Sequence, residues 1–393
     1  MVLTKSKNGI IRFLVNSSLD YFLRNVDPKL IRCILITGSA ATDEVTIIKS
    51  ESYTITSDIE FDVFVKIPYY FIASKRFPEY SRSFTETFRR KGIHTKVLFH
   101  PQLEILHFLL PKIYLYEYRV ASELVYGRLP NFVKKDTNLP TAEDALELVF
   151  STIADYLLAR DNVDTSPAER IYYFAKRSLT LLYALLIVRG LCVYGYGERI
   201  SRAVWAVKQK IPLPINNNDM NLLSALTRFK LSGSVDYLAK ELGCDDISAL
   251  SKLLEEFVKD LIYKVLYSCL ALSINDNFDG FSVNDHGGLP RPILRSVYLR
   301  KVSVFKYLFN ILLMPSRFRK IREQSIQHEL GSFCVRRFSV REILNAALLH
   351  RFLLDNSSML SSKFKSLGDG ILGAITKVDT RELIRLREDL GLF

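Results

Sequence analysis

Three kinds of hydrophobic pattern follow one another along the chain. Residues 1–30 carry helix-like spacing up to Asp27-Pro28, and the run Ile31–Thr37 is continuously apolar and predicts a buried strand that stops at Gly38-Ser39. Thr46–Ile55 places β-branched residues around a polar centre, the pattern of a small hairpin. Asp58–Ile67 then alternates strictly, with Asp58, Glu60 and Asp62 on one side and Ile59, Phe61, Val63 and Val65 on the other. A helix is expected over Phe77–Lys91, closed by Gly92, and a third strand over Ile93–Phe99, stopped by His100-Pro101. Residues 102–126 return to helical spacing and close at Gly127.

From Thr141 the pattern is helical almost throughout. Thr141-Ala142-Glu143-Asp144 is a helix-start signal, Glu169–Arg189 and Ile200–Lys210 follow, and the proline-bearing stretch Val207–Asn218 marks a boundary. Residues 219–275 are helical again, and the Gly-, Asn- and Asp-rich stretch up to Pro292 reads as an exposed loop. The expected fold class is therefore α+β. A small mixed-sheet domain (1–135) leads into a helical bundle (136–215) and a helical C-terminal region (216–393).

Composition narrows the function classes. The 393 residues are 48% hydrophobic and 24% charged, which supports large cores and excludes a disordered chain. The net charge of +12 favours an anionic partner. Cys33, Cys192, Cys244, Cys269 and Cys334 form no C-x-x-C pair, which argues against a zinc site or a disulfide framework and fits a reducing cytoplasm. Met1–Ser18 shows no leader pattern, and no uninterrupted apolar run reaches the ~18 residues of a membrane span, Leu179–Val188 being closed by Arg189. A soluble, cytoplasmic protein is expected.

The acid row is the strongest chemical signal. Side chains two apart on one strand face lie ~6.6 Å apart, and carboxylates beside a buried apolar face call for a cation. A Gly-Ser turn after a first strand, then acid–apolar–acid on the next, resembles the nucleotidyltransferase superfamily. Ser57-Asp58-Ile59-Glu60-Phe61 after a long polar insert looks like an uncharacterised prokaryotic branch of it. The resemblance implies transfer of a nucleoside monophosphate from an NTP to an acceptor that the sequence does not name. Asp58 and Glu60 would be the catalytic pair holding Mg²⁺ or Mn²⁺, as one or two ions, with Gly38 and Ser39 cradling the triphosphate and Lys96 beside it.

Members of the superfamily usually supply a third acid from a neighbouring strand, and His94–Phe99 contains none. Asp62, ~13 Å from Asp58 along the same strand, does not replace it. Glu143, Asp144 and Glu147 at the start of the helical region are the substitutes the sequence offers. The rival expectation is a nucleotide sensor or scaffold that binds without turnover, in which Lys96 stands in for a metal. A third is RNA cleavage at Arg322/His328. Gly368–Gly373 matches G-x-G-x-x-G but lacks a surrounding βαβ unit and reads as a loop. Segment 291–322 carries Arg291, Arg295, Arg300, Lys301 and further cations without an acid, interleaved with aromatics. It suits nucleic acid, or an anionic membrane surface that would make the protein peripheral. No oligomeric state is specified.

Overall fold

The computed structural model describes residues 8–49, 54–104, 112–134, 139–161 and 166–274, with Leu348 and Phe352. Helix α1 (Gly9–Asn25) is capped by the Asn8 side chain, which accepts from Ile10 N at 3.0 Å. A short 3₁₀ turn, Pro28–Leu30, delivers the chain to β1 (Ile31–Thr37). After α2 (Ser39–Thr42) come the hairpin β2 (Ile47–Lys49) and β3 (Thr54–Thr56), then β4 (Ile59–Val65). Helix α3 (Ile67–Arg89), β5 (Ile93–His94), β6 (Val97–Gln102), α4 (Lys112–Val120), β7 (Glu123–Gly127) and α5 (Asn131–Lys134) complete the α/β portion. The helices α6 (Ala142–Asp161), α7 (Pro167–Val188), α8 (Tyr196–Lys208), α9 (Asn217–Ser232), α10 (Val235–Glu241) and α11 (Ile247–Ile274) follow.

The main sheet has the order β6-β4-β1-β7, with β4 antiparallel to β1, β1 antiparallel to β7, and β4 parallel to β6. A second sheet joins β2, β3 and β5. The architecture is α+β, a mixed sheet followed by helices, as the hydrophobic pattern implies.

The alternation of β4 decides what each face of the sheet meets. Ile59, Phe61, Val63 and Val65 pack with the apolar faces of α1 and α3. There Phe22, Phe61 and Phe99 form a stack with centroid separations of 4.4 and 5.1 Å. The opposite face buries Phe64 with Cys33, Leu35, Tyr118 and Phe132, and carries the acids. The four described cysteines are free.

Contacts divide the chain into two compact units, residues 1–148 with 164–269, and residues 149–163 with 270–393. In the second, the Tyr156 and Phe352 rings meet edge to face at 5.5 Å. In the first, α7 is the central helix. Its capping box pairs Ser166 with Glu169, and residues from Ile171 to Val188 are buried along most of their length. Length and hydropathy alone would let α7 cross a membrane, but 78% of that window is buried inside the protein, as in a core helix.

Several expectations need correction. Residues 123–127, read as the end of a helix, form the fourth strand of the main sheet, with Ile36 opposite Glu123. Helix α3 begins at Ile67, ten residues before its expected start, and runs through Pro78. The single strand expected over Ile93–Phe99 is two, and β6 continues through Pro101. Segment 291–322, Arg322/His328, Cys334 and Gly368–Gly373 lie outside the described residues.

Candidate functional site

The site is built around the junction of β1 and β4. Register pairs Thr37 with Glu60, so the Glu60 side chain stands beside the turn that ends β1. Gly38 takes φ 67°, ψ −153°, a backbone region open to glycine and strained for any other residue. A Cβ added there would lie 3.4 Å from Glu60 Oε2, so the carboxylate hangs directly over the glycine. Ser39 opens α2 immediately behind it.

Asp58 precedes β4 by one residue and is held by a helix far away in sequence. Lys176 of α7 donates to its Oδ2 at 2.7 Å, with side-chain exposures of 18% for the lysine and 13% for the aspartate. Burial alone would push the Asp58 carboxyl up. The ammonium groups of Lys176 and Lys96 outweigh it and hold the group at about 2. Burial works against the Lys176 charge in turn, yet Asp58 keeps it firmly protonated. Lys96 also lies 5.8 Å from the centre of the Tyr173 ring. Lys96 therefore lies near enough to Asp58 to help hold its carboxyl down.

Two more cations enter from α9 and α8. Lys230 is 1% exposed and donates to Ser57 Oγ at 2.9 Å, between the rings of Tyr172 and Tyr196 at 5.3 and 5.2 Å. Burial and the repulsion of Lys176 bring its ammonium down to about 7. Arg199, 6% exposed, lies over Tyr183 at 3.9 Å, Tyr196 at 4.8 Å and Tyr194 at 5.5 Å. Among the described residues, its Nε is buried without a hydrogen-bond partner. Such an orphan costs ~1–3 kcal/mol, which makes it a natural contact for a polar ligand.

The remaining acids sit deeper. Asp62 is 7% exposed and accepts from Thr37 Oγ1 at 3.2 Å and Gln102 Nε2 at 3.1 Å. Burial raises its pKa, and Glu60 adds to this against the pull of His100. Glu117 of α4, half-buried, is pushed up to about 7, chiefly by burial. Arg199 opposes that shift, while Glu60 and Asp62 reinforce it.

The parallel register of β4 with β6 sets Leu98 beside Glu60 and His100 beside Asp62. The neighbouring strand thus offers leucine, not an acid, at the level of the pair. Asp144 does not fill the gap: it caps α6 through Thr141 N and Oγ1, both at 2.8 Å, and accepts from Ile113 N at 3.2 Å. Glu117 is the acid that the fold brings toward Glu60 and Asp62, and its setting between Tyr116 and Tyr118 was the only sequence signal for it. Glu44, just past α2, ties the sheet side to α8 by accepting from Tyr196 N at 2.9 Å.

No protein-family model matches the sequence, and the comparison with curated proteins found no match. Among solved structures, the chain is similar to a spectinomycin adenyltransferase from Enterococcus faecialis, determined with ATP and spectinomycin. Sequence identity is 13%, coverage is 63% of this chain and 98% of that one, and the TM-score is 0.38. So distant a likeness transfers no residue roles.

Proposed function

We propose that the chain binds a nucleoside triphosphate at the β1–β4 junction and transfers its nucleotidyl group to a hydroxyl-bearing acceptor. The observation that carries this reading is the convergence of two largely buried lysines, Lys176 and Lys230, on Asp58 near the glycine turn, with the buried Arg199 close to Lys230. Buried positive charge with an orphaned guanidinium nitrogen fits a polyphosphate, and the acid pair fits the cation that accompanies one.

The donor set suits Mg²⁺ or Mn²⁺. Asp58, just before β4, is held ionised, and Glu60 follows two residues on within the strand, giving two hard oxygen donors. Among the described residues no group of three or more His, Cys, Asp or Glu side chains is gathered as a metal centre. Magnesium characteristically takes one or two carboxylates and completes its shell with substrate phosphates and water, so two ligands suffice for one ion. When bound, the ion supplies neutralisation of phosphate charge.

The protein's own groups do the rest. Gly38 admits the phosphates to the backbone, where Ser39 offers its hydroxyl, and Lys230, Arg199 and Lys96 balance their charge. Lys176 keeps Asp58 ionised. In the reaction, the acceptor oxygen forms a bond to the α-phosphorus, the bond to the bridging oxygen breaks, pyrophosphate leaves, and the acceptor proton passes to a base.

A second reading, a sensor that binds nucleotide without turnover, is favoured by one observation: Leu98 occupies the strand position level with Glu60. Calorimetric titration of each NTP with Mn²⁺, on wild type and Asp58→Asn/Glu60→Gln, tests binding. Pyrophosphate release separates the two readings. Metal-dependent affinity lost in the double variant supports the site, and absence of binding to wild type overturns both readings.

A further inference from the structure

We propose that the outer face of α3 is a docking surface for an anionic lipid bilayer. Helix α3 commits one side to the core: Tyr69, Ala73, Phe77, Phe84 and Phe88 all pack against the sheet. The first turns of its other side expose Ile67 at 54%, Phe71 at 56% and Ile72 at 48%. Single exposed apolar residues are ordinary, but three large ones at successive outward positions of one helix form a patch.

Beyond the patch the exposed positions turn basic, with Lys75, Arg76, Arg82 and Arg89 along the same outward side. The acids there are Glu79 and Glu86, and Glu86 is engaged by Arg90 at 3.4 Å. An apolar tip followed by a cationic flank is the composition of a helix that lies in the headgroup region, with aliphatic and aromatic side chains inserted and cations on phosphates. The chain's net charge of +12 has the matching sign.

Nucleic acid would also attract the cations but would leave Ile67 and Ile72 without an apolar partner, so the bilayer fits both halves of the surface. Because α3 starts where β4 ends, while Asp58 precedes the start of β4, the patch and the acid site belong to opposite ends of that strand. A bilayer at the patch leaves the site open.

The test uses the full chain in co-sedimentation with phosphatidylcholine vesicles, with and without phosphatidylserine. Binding is expected only with phosphatidylserine, and to fall at least about tenfold in both Phe71→Ser/Ile72→Ser and Arg76→Glu/Arg82→Glu. Trp205 is the single tryptophan, so a Phe71→Trp substitution in a Trp205→Phe background reports on this one position. Its emission should shift to the blue and be quenched by brominated lipid. Full vesicle binding by Phe71→Ser/Ile72→Ser, an unshifted Phe71→Trp signal, or no binding to any vesicle overturns the proposal. RNA binding that depends on the same residues, without vesicle binding, would replace it with a nucleic-acid surface.

Discussion

Substituting Lys176 with methionine removes the counter-ion of Asp58 while keeping the volume and apolar stem of the side chain. In the native protein the Asp58 carboxyl lies at about 2 against an ordinary 3.8, despite its burial. That difference is worth about 2 kcal/mol at ~1.36 kcal/mol per tenfold. A depressed carboxyl contributes stability that is complete above its unfolded value and lost as pH falls through its folded one. For wild type this contribution therefore disappears between about pH 4 and pH 2. In Lys176→Met burial is opposed mainly by Lys96, and the carboxyl rises.

The sign of the pH dependence should then invert. The variant, destabilised by ~2–4 kcal/mol at neutral pH, should recover as pH falls from 7 toward 4 and Asp58 takes up a proton. Thermal melts should show a loss of ~5–10 °C at pH 7 for a unit of this size. Adding Asp58→Asn should restore most of it, since the uncompensated charge is gone. Losses that simply add in the double variant, or a Lys176→Met penalty that does not change with pH, would refute the pairing as the source of stability.

Three further outcomes are expected. Gly38→Ala forces a strained backbone at φ 67° and crowds Glu60, costing ~1–3 kcal/mol in chemical denaturation and weakening nucleotide binding in calorimetry. Lys230, at about 7, binds fewer protons when folded than when unfolded, so it contributes stability that grows as pH rises above 7. Lys230→Met should remove ~2 kcal/mol of that rise between pH 7 and 9, read as the difference between two denaturation series. Glu117, also at about 7, adds negative charge near the cation cluster as pH rises while Lys230 loses its own positive charge, so nucleotide affinity should weaken from pH 6 to pH 8 in wild type and weaken less, through Lys230 alone, in Glu117→Gln.

The elements legible in the sequence were those with an uninterrupted period. β1 and β4 were found to within a residue or two, and so was the acid row, because strict alternation fixes which side chains share a face. β7 was hidden because Glu123–Gly127 is five residues long and follows directly on helical spacing. Pro101 looked like a stop, but β6 is an edge strand, where a missing N–H costs no ladder bond. Pro78 and Pro68 likewise concealed the first half of α3.

The cations of the site were illegible for a different reason. Lys176 and Lys230 sit in helices whose spacing announces core, and nothing local distinguishes a lysine that reaches a distant aspartate from one that reaches water. Asp144 shows the converse, an acid whose position suggested chemistry and whose hydrogen bonds are spent on a helix start.

The Lys176–Asp58 and Lys230–Ser57 bonds span 118 and 173 residues of chain. A ribosome adding ~5–20 residues per second needs about 9–35 s to cover the longer span. Throughout that interval the strand bearing Asp58 and Glu60 is already made, while Lys230, which will anchor it, is not. The acid pair therefore waits on the helices, and a nascent chain halted before α9 would display the carboxylates without the full cation cluster. Assembly of the site is in this sense a late checkpoint of synthesis, passed only by chains that have emerged beyond residue 230.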